Sequence, residues 1–276
     1  MGFKNLQNKG AQMNTNHILT FLGTGASCGV PSYYCGCKAC EEALANPKAA
    51  RNCACLLISG AENTLIDASP DLRMQLVRSG AKDVARVLLT HEHFDHIGGI
   101  PQLEFYVKLQ TRTPLPVYAG AKTLAAIKQQ FSFMLDILEL HQIEVGETLE
   151  FDDIRYTPLP AKHGEASYGY LLETPATRLA YFPDTGPLDA AVIDCMGMLD
   201  HLVIDATFNG KNWMPASHLT IDEAIGLAQH IGARKTWLTH LSMHYDTPIT
   251  LAELEERLAI YNGTITPAYD NLTIEL

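Results

Sequence analysis

No apolar stretch in the 276 residues approaches the roughly 20 needed to cross a bilayer as a helix, so a membrane-spanning reading has no support. Residues 1–16 lack the apolar centre of a secretory signal, which makes a cytoplasmic chain the expectation. Positive charge is scarce: 20 Lys and Arg stand against 31 Asp and Glu, for a formal net charge of −11. Long nucleic acids are held mainly by cations that neutralise phosphates, and no basic run offsets this balance, so a long polyanionic partner is disfavoured. A local pocket for one small phosphate is compatible with it. Glycine-rich phosphate loops are missing too: Gly23-Thr24-Gly25-Ala26-Ser27 lacks the spacing of a dinucleotide or P-loop motif and reads as a tight turn beneath a site.

What is present begins with apolar residues, 47% of the chain, enough for one large domain. We expect a flexible polar leader over residues 1–16 and a single domain over 17–276. Seven cysteines are the next feature, and three fall at Cys35, Cys37 and Cys40 in a turn-rich segment. That spacing is too tight for ordinary disulfides within the set and suits thiolates converging on one structural zinc. Segment 28–55 is therefore read as a zinc-binding insertion. His244 is the leading fourth ligand, with Cys28, Cys53 and Cys55 competing. Cys53 and Cys55 alternate at the head of the strand Leu56-Leu57-Ile58, where cysteine is commonly a small buried side chain.

The most informative stretch is Thr90-His91-Glu92-His93-Phe94-Asp95-His96, which crowds three histidines and an aspartate behind the apolar run Val87-Leu88-Leu89. Single histidines are usually structural, but imidazoles and a carboxylate gathered in one loop are ligands for a borderline transition metal. A strand ending at Thr90 delivers that loop to a sheet rim, where His91 and His93 face one ion while Asp95 and His96 face a second.

This HxHxDH pattern resembles the metallo-β-lactamase superfamily, whose members place a di-metal site at the edge of an αββα sandwich. The resemblance implies partners at the ends of later strands, and His163, Asp184 and His240 fall there. Site one is then His91, His93 and His163; site two is Asp95, His96 and His240; Asp184 bridges. Two divalent ions, Mn2+ or Zn2+, supply a nucleophile at neutral pH and clamp a phosphoryl or carbonyl oxygen. Asp67 resembles the superfamily's acidic residue that orients the histidine loop, the competing reading being a cap on a helix starting near Pro70.

The Gly-Thr-Gly turn, Gly29-Val30-Pro31, the cysteine cluster and Thr239-His240-Leu241-Ser242 together resemble the phosphoribosyl 1,2-cyclic phosphate phosphodiesterases of the carbon–phosphorus lyase pathway, over about Ile18 to Leu276. In that family a histidine three residues after the last catalytic one completes the zinc site. Here that position is Met243, and the histidine comes one residue later as His244. The family's substrate-facing histidine corresponds to His218, read here as the proton donor to the leaving oxygen, with a helix cap as the bland reading. Asp95 is a second candidate for proton relay.

The fold expected is α/β, a four-layered αββα sandwich of two mixed sheets covered by helices. Strands are predicted at 18–22, 56–59, 64–67, 87–90, 117–119, 154–159, 168–173, 178–182, 202–205, 236–239 and 271–275, and helices at 71–79, 100–109, 122–133, 221–231 and 251–260. His141, His201 and His230 are read as structural, Asp205 as a secondary candidate near the metals, and 131–140 as core with a substrate wall or dimer contact as alternatives. The function expected is di-metal hydrolysis of a small phosphodiester such as phosphoribosyl 1,2-cyclic phosphate. Alternatives are a thioester or lactone hydrolase, an RNA-processing nuclease, or a non-catalytic cofactor-biosynthesis relative. The partner is a small phosphorylated substrate, with a homodimer left open.

Overall fold

In the computed structural model, which describes residues 17–276, the apolar strands pair into two seven-stranded sheets. The leader expected over 1–16 lies outside the described residues. Strands β1 (Ile18–Gly23), β2 (Cys55–Ser59), β3 (Thr64–Ile66), β4 (Arg86–Leu88), β5 (Leu115–Ala119) and β6 (Leu138–Gln142) build the first sheet. Strands β7 (Leu149–Phe151), β8 (Ile154–Ala161), β9 (Ser167–Glu173), β10 (Arg178–Phe182), β11 (His201–Asp205), β12 (Lys235–Thr239) and β13 (Ile265–Pro267) build the second. The last strand, β14 (Thr273–Glu275), returns to the first sheet, in the order β14-β1-β2-β3-β4-β5-β6; the second runs β13-β12-β11-β10-β9-β8-β7. In each sheet one half is antiparallel and the other parallel: pairing changes at β3 in the first and at β10 in the second.

Alternation at a period of two sorts the side chains into layers. Leu56 and Ile58 point between the sheets, where they meet Tyr156, Tyr170 and Tyr181 from the second sheet; Cys55 and Leu57 point outward. The outer face of the first sheet packs on α2 (Leu72–Ser79), α3 (Phe94–Ile97) and α5 (Ala121–Gln130). The outer face of the second carries α1 (Lys38–Ala45), α6 (Ala190–Met196), α7 (Ile221–Ile231) and α8 (Leu251–Leu258). In α7 the buried positions Ile221, Ala224, Ile225 and Ala228 follow the helical spacing, and each fully buried Ile adds roughly 1.5–3 kcal/mol. This is the four-layered αββα arrangement expected.

Strands β6, β7 and β13 fall outside the predicted set, as do helices α1, α3 and α6. The predicted helix over 100–109 is instead a broken run: a 3₁₀ turn (Ile100–Leu103), a short α4 (Glu104–Tyr106) and a π-turn (Val107–Thr111). Residues 131–140 hold a 3₁₀ turn and the start of β6, and Phe131, Met134, Ile137 and Leu138 are buried in the core of the first sheet. Gly23 is required by close approach: a Cβ there would lie 2.0 Å from the Cys53 carbonyl oxygen. The Gly-Thr-Gly segment thus packs backbone against backbone, as a tight turn does.

Candidate metal centre

The carboxyl ends of β3, β4, β8, β10, β11 and β12 meet along one edge of the sandwich and bring every predicted active-site residue there. Ligand atoms of His91, His93 and His163 lie within 4.8 Å of one another, and so do those of Asp95, His96, Asp184 and His240. Asp184 sits between: its Oδ2 is 2.9 Å from His96 Nε2 and 3.3 Å from His91 Nε2, and its Oδ1 is 2.8 Å from His240 Nε2. His93 is exposed and marks the open side, whereas His91, His96, His163, Asp184 and His240 are buried.

The neighbours of the histidines fix which nitrogen each presents. Asp67 is wholly buried with a left-handed backbone, φ 67°, a conformation that sets its carboxylate against the loop after β4. It accepts from the Thr90 amide at 2.8 Å, from the Thr90 hydroxyl at 2.9 Å and from His96 Nδ1 at 2.8 Å. Because a carboxylate only accepts, His96 carries its proton on Nδ1, and His91 Nδ1, 3.0 Å from the committed Thr90 hydroxyl, donates to it. The second half repeats this scheme. Asp205 accepts from the Thr207 hydroxyl at 2.9 Å, and His240 Nδ1 lies 2.8 Å from that hydroxyl oxygen, so it donates in turn. His163 Nδ1 donates to the Ser217 carbonyl at 2.9 Å. The Nε2 lone pairs of His91, His96, His163 and His240 are thereby left for the cluster.

These nitrogens meet carboxylate oxygens at contact distance without a hydrogen bond: His91 Nε2, His96 Nε2, His240 Nε2 and Asp184 Oδ1 are all buried and unpartnered. Lone pairs facing lone pairs in a buried site require positive charge between them. Where no cation stands there, protons on the same nitrogens would supply that charge, and the electrostatics of the residues favour it. Burial acts to lower His96 and His240, but the surrounding carboxylates prevail, raising His96 well above the usual imidazole range and His240 to about 10. Burial would raise Asp95 and Asp184, yet the facing histidines hold both below the ordinary carboxylate range. His91 is driven down by burial and by the His96 charge beside it. A donor set of imidazoles and carboxylates in this state fits divalent cations.

His218 adjoins the cluster from the segment before α7, its ring stacked 5.4 Å from that of His240 and edge-on 4.6 Å from that of His163. Its Nδ1 is 2.7 Å from Asp205 Oδ2, so the ring is oriented by a buried carboxylate and presents Nε2. Thr220, not His218, caps α7 through a capping box with Glu223. Nor does Asp67 cap a helix: α2 starts after Asp71.

Residues 62–241 match the profile of the beta-lactamase superfamily domain. The chain belongs to the metallo-β-lactamase superfamily. It is 30% identical over 260 residues to an octanoyltransferase of Porphyromonas gingivalis, covering 91% of this chain but spanning only half the length of that relative. A ribonuclease Z of Bradyrhizobium diazoefficiens is 26% identical over 319 residues, covering 93% of this chain and 99% of the other. Among solved structures, a diphosphatase from the PhnP family superposes with a TM-score of 0.83 at 28% identity, covering 95% of this chain and 97% of that one.

Two residues beside the ligands carry little signal in the sequence. Asp205, a secondary candidate in the sequence, ends β11, and Thr207 follows it; the pair serves His218 and His240 as Asp67 and Thr90 serve His96 and His91. An Asp and a Thr at the ends of the central parallel strands were the available signal.

The cysteine cluster lies apart from this edge. Ligand atoms of Cys35, Cys40 and His244 fall within 4.8 Å of one another; Cys37, the third predicted thiolate, is adjacent in sequence but is not brought into that group. Cys40 Sγ is 3.4 Å from His244 Nδ1, and burial pushes the Cys40 thiol up to about 12, so a thiolate there needs a cation beside it. The extra residue before His244 is absorbed by a tight turn: Met243 is left-handed at φ 56°, and the His244 amide donates to the Ser242 carbonyl at 2.7 Å. Cys53 and Cys55 are buried, their thiols turned to the backbone oxygens of Ser27 and Asp67, which is the plain packing role.

Proposed function

We propose that the chain is a di-metal phosphodiesterase acting on a small phosphodiester, a cyclic phosphate such as phosphoribosyl 1,2-cyclic phosphate being the leading substrate. The observation that carries this reading is the Asp205–His218 pair set against the double ligand cluster. An alkoxide expelled from phosphorus needs a proton, whereas a thiolate expelled from a thioester does not, and a histidine held by a buried carboxylate is a proton donor in the right place. The likeness to a diphosphatase over nearly the whole of both chains supports the same reaction class.

In this reading His91, His93 and His163 would hold one ion and Asp95, His96 and His240 the other, with Asp184 shared between them. Two divalent ions, Mn2+ or Zn2+, would supply the nucleophile at neutral pH and electrophilic assistance at phosphorus. Asp67 and Asp205, through Thr90 and Thr207, hold the imidazoles in the ligating tautomer. His218 delivers its Nε2 proton to the leaving oxygen, and Asp95 is the second proton carrier. Cys35, Cys37 and Cys40 of segment 28–55, together with His244, would hold a structural Zn2+ in one domain spanning 17–276.

The test is turnover of bis(p-nitrophenyl) phosphate, a phosphorylated ribose cyclic phosphate and a thioester by chelated protein, with manganese or zinc restored separately and bound metal counted. Metal-dependent cleavage favouring the ribose cyclic phosphate is expected, and it should vanish in His93→Ala. Preference for the thioester would move the assignment to acyl hydrolysis. The ribonuclease Z relative makes RNA processing the second reading, weighed down by the −11 charge; cleavage of a transfer-RNA precursor at comparable efficiency would favour it.

A further inference from the structure

The two ring nitrogens of His244 face different sulfurs. Nδ1 looks into the cluster, 3.4 Å from Cys40 Sγ; Nε2 lies 3.1 Å from Cys28 Sγ, outside it. Cys28 has a second partner, the Tyr245 hydroxyl at 2.9 Å, and the Tyr245 ring lies 4.5 Å from that of His244. The backbone makes this meeting possible. The turn after β1 runs alongside the segment after β12, with the Leu241 amide donating to the Thr24 carbonyl at 3.0 Å and Gly25 bridging to Leu241.

We propose that Cys28 is not a zinc ligand but the positioning residue for one: His244 ligates through Nδ1 and donates its Nε2 proton to Cys28 Sγ, which the Tyr245 hydroxyl holds in place from the other side. The chemistry is that of the other histidines here, where a partner on one nitrogen dictates that the opposite nitrogen offers its lone pair. It also gives the extra residue at Met243 a consequence. The shifted histidine stands on the turn at Met243, and Cys28 supplies the fixed point that orients its ring. Tyr245 in turn packs 5.3 Å from the Trp213 ring, which lies 5.9 Å from Phe208, whose ring is edge-on to His218 at 5.8 Å. The Cys28 contact therefore also ties the zinc site to the aromatic wall beside His218.

This inference rests on the structural zinc site proposed above, and the experiment separates the two. Cobalt is loaded in place of zinc, and the thiolate-to-cobalt absorption, which the sulfur-free di-metal edge does not produce, is compared between the parent protein and Cys28→Ala. Zinc retention is then followed against a chromophoric chelator. We expect the absorption per thiolate-bound cobalt to be unchanged in Cys28→Ala while zinc affinity falls roughly 10–100-fold, the range typical for loss of a ligand's hydrogen-bond partner. Cys28→Ser, which keeps an acceptor for His244, should recover part of that loss and serves as the comparison should the alanine variant fold poorly. A drop in thiolate absorption in Cys28→Ala would make Cys28 a ligand and overturn the proposal, as would undiminished zinc retention. Absence of the absorption in the parent protein would remove the zinc site itself and this proposal with it.

Discussion

At the scale of single residues, the site is governed by which nitrogen or oxygen each side chain has left over after its neighbours are served. Asp205 illustrates this: it accepts from His218 Nδ1, the Thr207 hydroxyl and three backbone amides, so its removal changes the orientation of two histidines at once. Asp205→Asn should leave the fold intact and lower kcat/KM by roughly 10²–10⁴-fold on a ribose cyclic phosphate, because the amide no longer fixes the proton-donating state of His218. The loss should be much smaller on bis(p-nitrophenyl) phosphate, whose leaving group departs without a proton. Equal losses on the two substrates would remove His218 from the proton-donor role. The ligand residue types were legible in the sequence, since a histidine-rich loop after a strand admits few readings. The tautomers were not, because they depend on Thr90, Thr207 and Asp205, whose relation to the histidines is spatial.

At the scale of elements, the long periodic segments were legible and the short or irregular ones were not. Helix α7 is predicted at its observed limits because its apolar spacing is regular, and the structure adds the cap: Thr220 accepts from the Glu223 amide at 3.1 Å while Glu223 reaches back to the Thr220 amide. Thr220→Ala should cost about 1 kcal/mol, read as a lower urea midpoint with an unchanged slope. It should also loosen His218, which lies two residues upstream. Strands β7 and β13 each comprise three residues, too few for alternation to register, and they lie at sheet edges. Helix α1 is hidden because its first residues, Lys38 to Cys40, belong to the turn-rich cysteine segment and too few apolar positions follow to set a period.

At the scale of the whole molecule, the structure predicts that stability depends on pH and on bound metal. Asp270 accepts from the Asn52 amide, the Asn52 side chain and the Thr24 hydroxyl, and burial pushes its carboxyl up to about 6. A folded value above the unfolded one, about 3.9, means that its contribution is fully present below about pH 4 and is lost as pH rises through about 6. The urea midpoint of the parent protein should therefore fall relative to that of Asp270→Asn between about pH 4 and pH 6 and run parallel above; a constant difference across that window would contradict the assignment. Chelation should lower the melting temperature by roughly 5–10 °C, reversibly on adding metal back, since ions bound only by the folded state stabilise it by mass action. A melting curve indifferent to chelator would count against tightly held ions.

The sequence by itself determined the layered α/β class and the histidine-rich ligand loop; His163, Asp184 and His240 followed from the resemblance which that loop carries. Those properties reside in local patterns: alternation, helical spacing, and a ligand loop immediately behind an apolar strand. Tertiary structure alone decided that Asp205 rather than solvent faces His218, that Asp67 orients a loop instead of capping a helix, and that Cys28 stands behind His244 rather than beside it. Each of these depends on contacts between segments far apart in the chain, and sequence spacing carries no information about which side of a ring such a contact will occupy.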